Sequence, residues 1–99
     1  MSNAAASHNE LHVQVHEKFT FTDSEWFRNI LNTIEQKNVT RLIIDFSATQ
    51  FIDSAALGML LLAREELGKR GGGITLLRAQ GQVDKIFKIS HFHTLFDMR

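Results

Sequence analysis

Cysteine and proline are both missing from the 99 residues. Without cysteine there is no disulfide scaffold, no thiol chemistry and no cysteine-ligated zinc. That fits a reducing compartment, and a cytoplasmic protein is expected. Net charge is missing too, since eleven Lys and Arg balance eleven Asp and Glu. No basic run offers the phosphate-backbone footprint of a nucleic-acid binder. The longest apolar run, Ala55 to Ala63, contains Gly58 and is far shorter than the roughly 20 residues of a bilayer span, so no membrane insertion is expected. Met1 to His8 is small and polar and does not read as a signal peptide. Residues 1–9 are expected to be a flexible lead-in, with Ser2-Asn3-Ala4 as a tag remnant.

What is present is enough for one modest core: 43% of the residues are hydrophobic, and the length allows one domain, over residues 10–99. Leu11, Val13 and Val15 alternate with polar residues, the period of a half-buried strand. Lys18 to Phe21 reads as a second strand after a turn at Glu17-Lys18, with Phe19 and Phe21 on one face. Thr22 and Glu25 form a capping-box pattern. Trp26, Phe27, Ile30, Leu31 and Ile34 then make one helical stripe. Arg41 to Phe46 suits a central strand buried on both faces. Asp53-Ser54 opens a second helix with Leu57, Leu60, Leu61, Arg64 and Leu67 on one face, ended by Gly71-Gly72-Gly73. Ile74 to Leu77 is a further strand and Gln82 to Ser90 a third helix, and Phe92, Leu95 and Phe96 pack the tail. This order predicts an α/β domain: a mixed sheet of about four to five strands with an antiparallel opening pair, then crossover units, packed with three or more helices.

The segment Ile43 to Leu61 carries the chemistry. Ground beyond the carboxyl end of a strand is where sites of α/β sheets form, and here it holds an acid, a hydroxyl and a helix start. Asp53-Ser54 is a good N-cap on hydrogen-bonding grounds alone, and a cap can also be a modification site. Gly58 costs about 1 kcal/mol inside a helix relative to Ala, so a close approach by another backbone is expected there. Ala55, Ala56 and Gly58 leave the first turn nearly free of bulk. Met59 and Leu62 point away from the leucine stripe, as an apolar docking surface would, although packing on a neighbouring helix explains them equally well. Phe51 and Ile52 are expected to anchor the loop in the core.

Phe51-Ile52-Asp53-Ser54-Ala55-Ala56-Leu57-Gly58 resembles the signature of STAS domains, the anti-sigma-factor-antagonist family. Asp45-Phe46-Ser47 resembles the end of the family's preceding strand, and the element order matches from about Leu11 to Met98. Ala56 stands where the common form has Gly. Phe19-Thr20-Phe21-Thr22-Asp23 and the Leu-Gly-Met-Leu-Leu run resemble a bacterial subgroup tied to control of biofilm formation. The resemblance implies a partner switch, not an enzyme, with no cofactor and no metal. Ser54 would be phosphorylated by an anti-sigma-type serine kinase using ATP and restored by a PP2C-type phosphatase. The unmodified form would bind its target and the phosphorylated form release it. Asp53 would shape the local field and present Ser54 to the kinase's metal-bound nucleotide. Asp53, Ser54, Ala55, Ala56, Gly58, Met59 and Leu62 would form the docking surface.

Other readings are weaker. His12 and His16 lie four apart in strand context, where the helical metal-binding spacing does not apply, and no pair of acids completes a site with His91 and His93. A serine hydrolase needs a base and an orienting acid beside Ser54, and the Gly-x-Ser-x-Gly elbow is missing. The glycine triplet follows a helix instead of preceding one, unlike a phosphate loop. The serious competitor is a non-switching STAS module, a structural subunit of a larger complex such as a lipid-transport assembly.

Overall fold

Every second residue of the central strands faces one core. Leu11, Val13 and Val15, then Leu42, Ile44 and Phe46, are all buried in the computed structural model, which describes residues 4–7 and 9–99. The strands are β1 (Ala4–Ser7), β2 (Glu10–Gln14), β3 (Lys18–Phe19), β4 (Arg41–Asp45), β5 (Phe51–Ile52), β6 (Gly73–Leu77) and β7 (Asp97–Met98). The helices are α1 (Ser24–Gln36), α2 (Ser54–Gly68) and α3 (Gly81–Ile89), and short 3-10 turns cover Phe21–Asp23 and Phe92–Thr94. The main sheet runs β1-β2-β4-β6-β7, with β1 antiparallel to β2 and all other pairs parallel. Parallel neighbours need crossovers, and α1, α2 and α3 supply them in turn. The expected mixed α/β architecture is therefore the observed one.

Five details differ from the sequence reading. The antiparallel pair joins β1 to β2, so the expected lead-in contributes an edge strand at Ala4–Ser7; Met1–Asn3 and His8, including Ser2 and Asn3 of the expected tag remnant, lie outside the described residues. The strand expected from Lys18 to Phe21 stops after two residues and pairs in parallel with β5. There the chain leaves the sheet, and the carbonyl of Glu17 accepts from the N–H groups of Gln50 and Phe51 at 2.8 and 3.2 Å. The capping box sits two residues earlier than expected: Asp23 accepts from the Thr20 N–H at 2.9 Å, and the Thr20 hydroxyl accepts from the Thr22 N–H at 3.4 Å. β4 is central but not buried on both faces, because the helices cover one face only; Ile43 is half-buried on the other. β7 was not foreseen at all.

On that open face Arg41 donates from Nη1 to the Thr75 hydroxyl at 2.8 Å, and Thr75 donates to Asp97 at 3.0 Å. The Thr75 hydroxyl first, and then Arg99 at 3.1 Å, hold the Asp97 carboxyl below the usual carboxylate range. The helices fill the covered face with Phe27, Ile30 and Ile34, with Ala56, Leu60, Ala63 and Leu67, and with Val83 and Phe87. Aromatic rings run through this core in sequence. Phe19 meets Trp26 edge-on at 6.2 Å and Phe46 at 6.3 Å, and Phe46, Phe87, Phe92 and Phe96 follow at 5.2, 5.4 and 4.9 Å. At the glycine connector, a Cβ on Gly72 would lie 2.0 Å from the Thr40 carbonyl oxygen, so this position admits glycine alone.

Candidate functional site

The path into α2 is fixed before the helix begins. In the β3–β5 ladder, Phe19 lies opposite Ile52, and both side chains are buried. Strand alternation then turns Phe51 outward, 48% exposed, against the expectation that it anchors the loop. The buried Thr49 hydroxyl bonds to the carbonyls of Val15 and His16 at 3.2 and 2.9 Å. The Asp53 N–H donates to the Phe19 carbonyl at 3.2 Å.

Asp53 is the cap. It is extended, and its Oδ1 accepts from the Ala56 N–H at 2.9 Å, while Oδ2 accepts from the Phe21 N–H at 3.1 Å. Both carboxylate oxygens are thus engaged by backbone amides, one of them 32 residues away in sequence. Ser54 is the first helical residue and is exposed. Among the described residues its hydroxyl has no hydrogen-bond partner, histidine included. The sequence left open which member of Asp53-Ser54 caps the helix; the structure gives that task to Asp53 and leaves the hydroxyl free. The first N–H groups of a helix lack partners within it, and the macrodipole makes this end favourable to an anion.

Below Ser54 the helix presents Gly58, Leu61, Leu62 and Glu65 to solvent, and Ala55 is exposed beside it. Ala56 is a correction. It was expected on the docking surface but is fully buried, in register with Leu60, Ala63 and Leu67. Met59 is half-buried against the core, and Leu61, expected inward, is 41% exposed. A Cβ added at Gly58 would meet nothing within 4 Å, so the close approach expected there is not made by this chain.

Two rings that the sequence placed inward are exposed on the segments leading to Ser54. Phe21 is 67% exposed and Phe51 is the second. Phe21 was hidden by its alternation with Phe19, which suggested a shared inward face. From Gln50 to Ala63 the one ionisable residue is Asp53, which is occupied by amides. Among the described residues no group of three or more His, Asp or Glu is placed to hold a metal ion, and no helix is long and apolar enough to cross a membrane.

Residues 3–99 match the STAS domain family. A STAS-domain containing protein of Pseudomonas aeruginosa (strain UCBPP-PA14) is 35% identical over 94 residues, spanning 93% of this chain and 90% of that protein. Among solved structures, the unphosphorylated anti-sigma factor antagonist SpoIIAA superimposes with a TM-score of 0.77 at 23% identity, covering 96% of this chain and 83% of its own. Phosphorylated SpoIIAA of Bacillus gives 0.76 at 22%, covering 96% and 86%. A sulfate transporter family protein of Wolinella succinogenes gives 0.79 at 16%, covering 95% and 79%. At these identities the three structures share the fold with this chain.

Proposed function

The chain belongs to the STAS domain family, and we propose that it acts there as a partner-switching regulator of the anti-sigma-factor-antagonist type, controlled by phosphorylation of Ser54. The observation that carries this reading is the free, exposed hydroxyl at the first position of a capped helix, in a stretch from Gln50 to Ala63 whose single ionisable side chain is already satisfied. Aromatic enrichment and charge depletion mark the centre of protein interfaces. An anti-sigma-type serine kinase and a PP2C-type phosphatase would set the state of Ser54 in the cytoplasm. The unmodified form binds the kinase or another target, and the chain is substrate and ligand instead of catalyst. Ser54, Ala55, Gly58, Met59 and Leu62 remain on the docking surface; Ala56 leaves it, and Asp53, its carboxylate held by two backbone amides, supports that surface from within the chain. The equal likeness of this fold to both SpoIIAA states supports a phosphate that leaves the domain folded.

The test is incubation with an anti-sigma-type kinase encoded beside the gene, together with ATP. Intact mass should rise by one phosphoryl group, and Ser54→Ala should abolish the rise. Transfer to another residue, or none, would sink the reading. The transporter-family neighbour favours one competitor, a non-switching subunit, and co-purification with a transporter ATPase in place of a kinase would establish it.

Gly58→Ala separates fold from interface. Removing a helix-interior glycine should stabilise the domain by about 1 kcal/mol, since the new methyl meets open space. On the docking surface the same methyl stands in the partner's way, so affinity should fall by about tenfold, roughly 1.4 kcal/mol. Thermal melting and calorimetric titration read the two effects, and a more stable variant with undiminished affinity would remove Gly58 from the interface.

A further inference from the structure

We infer that Phe21 is a docking side chain for the partner that receives Ser54, and that Asp53 is the positioning residue that holds it in place; this rests on the partner-switching reading. The ring of Phe21 is two-thirds exposed, and among the described residues no other aromatic ring packs on it. Its backbone, by contrast, is tightly held. The Phe21 N–H donates to Asp53 Oδ2 at 3.1 Å while Asp53 Oδ1 caps Ala56, so one carboxylate ties the Phe21–Asp23 turn to the first turn of α2. From the other side, Asp23 accepts from the Thr20 N–H and pairs with His16 Nε2 at 3.0 Å. An outward phenyl ring on a braced turn loses little freedom on binding, which is the condition for an aromatic anchor.

The occupant follows from the charges. Phe21, Phe51, Leu61 and Leu62 are apolar, and the Asp53 carboxylate is satisfied within the chain. Exposed Lys18, opposite Phe51 in the ladder, and Glu65, one turn below Leu61, are the nearest free charges along these elements, so a charged group set against the Phe21 ring itself would be desolvated without a counter-charge. The partner therefore offers the Phe21 ring an uncharged apolar pocket. A second copy of this chain is the wrong occupant, because a symmetric contact through this patch would cover Ser54 and deny it to a kinase.

The experiment is a double-mutant cycle on affinity for the unphosphorylated chain's kinase partner, with melting curves alongside. Phe21→Ala should weaken binding by about tenfold or more and leave the melting temperature unchanged. Asp53→Ser keeps a good N-cap but is too short to reach both amides, and Asp53→Asn keeps a cap oxygen but not two acceptors. Each should weaken binding, and neither should add to the loss in the Phe21→Ala background. If Phe21→Ala binds as tightly as the wild-type chain, or if the losses add in full, the inference falls while the phosphorylation reading stands. Dissociation of a wild-type dimer by Phe21→Ala, without change in kinase affinity, also overturns it. A wild-type chain that is neither bound nor phosphorylated overturns the parent reading and this one with it.

Discussion

Phosphorylation of Ser54 should lower partner affinity by about a hundredfold or more, while the melting temperature stays essentially where it was. A phosphoryl group brings about −1.5 to −2 charges near neutral pH. At the first position of α2 it meets unpartnered N–H groups and the positive end of the helix dipole, so the folded chain accommodates it. The interface is less tolerant. From Phe51 to Ala63 the exposed side chains are apolar or small, and that stretch holds no Lys or Arg to neutralise a dianion. Burying that charge unpaired against a partner costs several kcal/mol, and about 2.7 kcal/mol already gives the hundredfold. Ser54→Asp carries less charge and should weaken binding less. Calorimetry of the three forms measures the order. Should Ser54→Asp unfold the domain and leave residual binding unaltered, the electrostatic account is wrong.

Phe19→Ala should cost about 3–5 kcal/mol, a large part of the roughly 5–15 kcal/mol that holds a domain together. Phe19 is fully buried and touches Trp26, Phe27 and Phe46. It is also half of the two-residue strand that fixes β5, and its carbonyl accepts from the Asp53 N–H. The loss therefore reaches the start of α2. Urea denaturation should show the lower stability, and amide exchange should quicken at Ile52 and Asp53 before it quickens in β4. Exchange that rises uniformly would show that the ladder has no local role. The contrast with Phe21→Ala is instructive: two residues apart, one ring sustains the fold and the other is spare to it.

The strong periodicities were legible. Leu11, Val13 and Val15 announce a one-sided strand, and the α1 stripe is where alternation of apolar and polar residues put it. α2 was legible as a helix but not in its orientation. Between Ala55 and Ala63 every residue except Gly58 is apolar, so no polar face marks the outside. Size does not mark it either: Ala56, Leu60, Ala63 and Leu67 turn inward while Leu61 and Leu62 turn outward, so packing in the folded chain sets the helix's rotation. β3, β5 and β7 span two residues each, too short for any period to register. The capping box was expected at Thr22 with Glu25, but Thr20 with Asp23 has the same spacing and forms it, with Asp23 also paired to His16 at 3.0 Å. The candidate site was legible as Asp-Ser at a helix start. Its bond to Phe21 was not, because nothing in one sequence links positions 32 apart.

The ring of Phe19 that joins core and ladder also stands beside a built-in optical reporter. Tryptophan occurs once and tyrosine not at all, so ultraviolet-excited emission of the folded chain arises from one indole. That indole, Trp26, lies half-buried, edge-on to Phe19 and 5.7 Å from the ring of His16. Through His16, which pairs with Asp23, it neighbours the bracing of the Phe21–Asp23 turn, and a change in wavelength or quenching on adding a tryptophan-free partner reports on that turn.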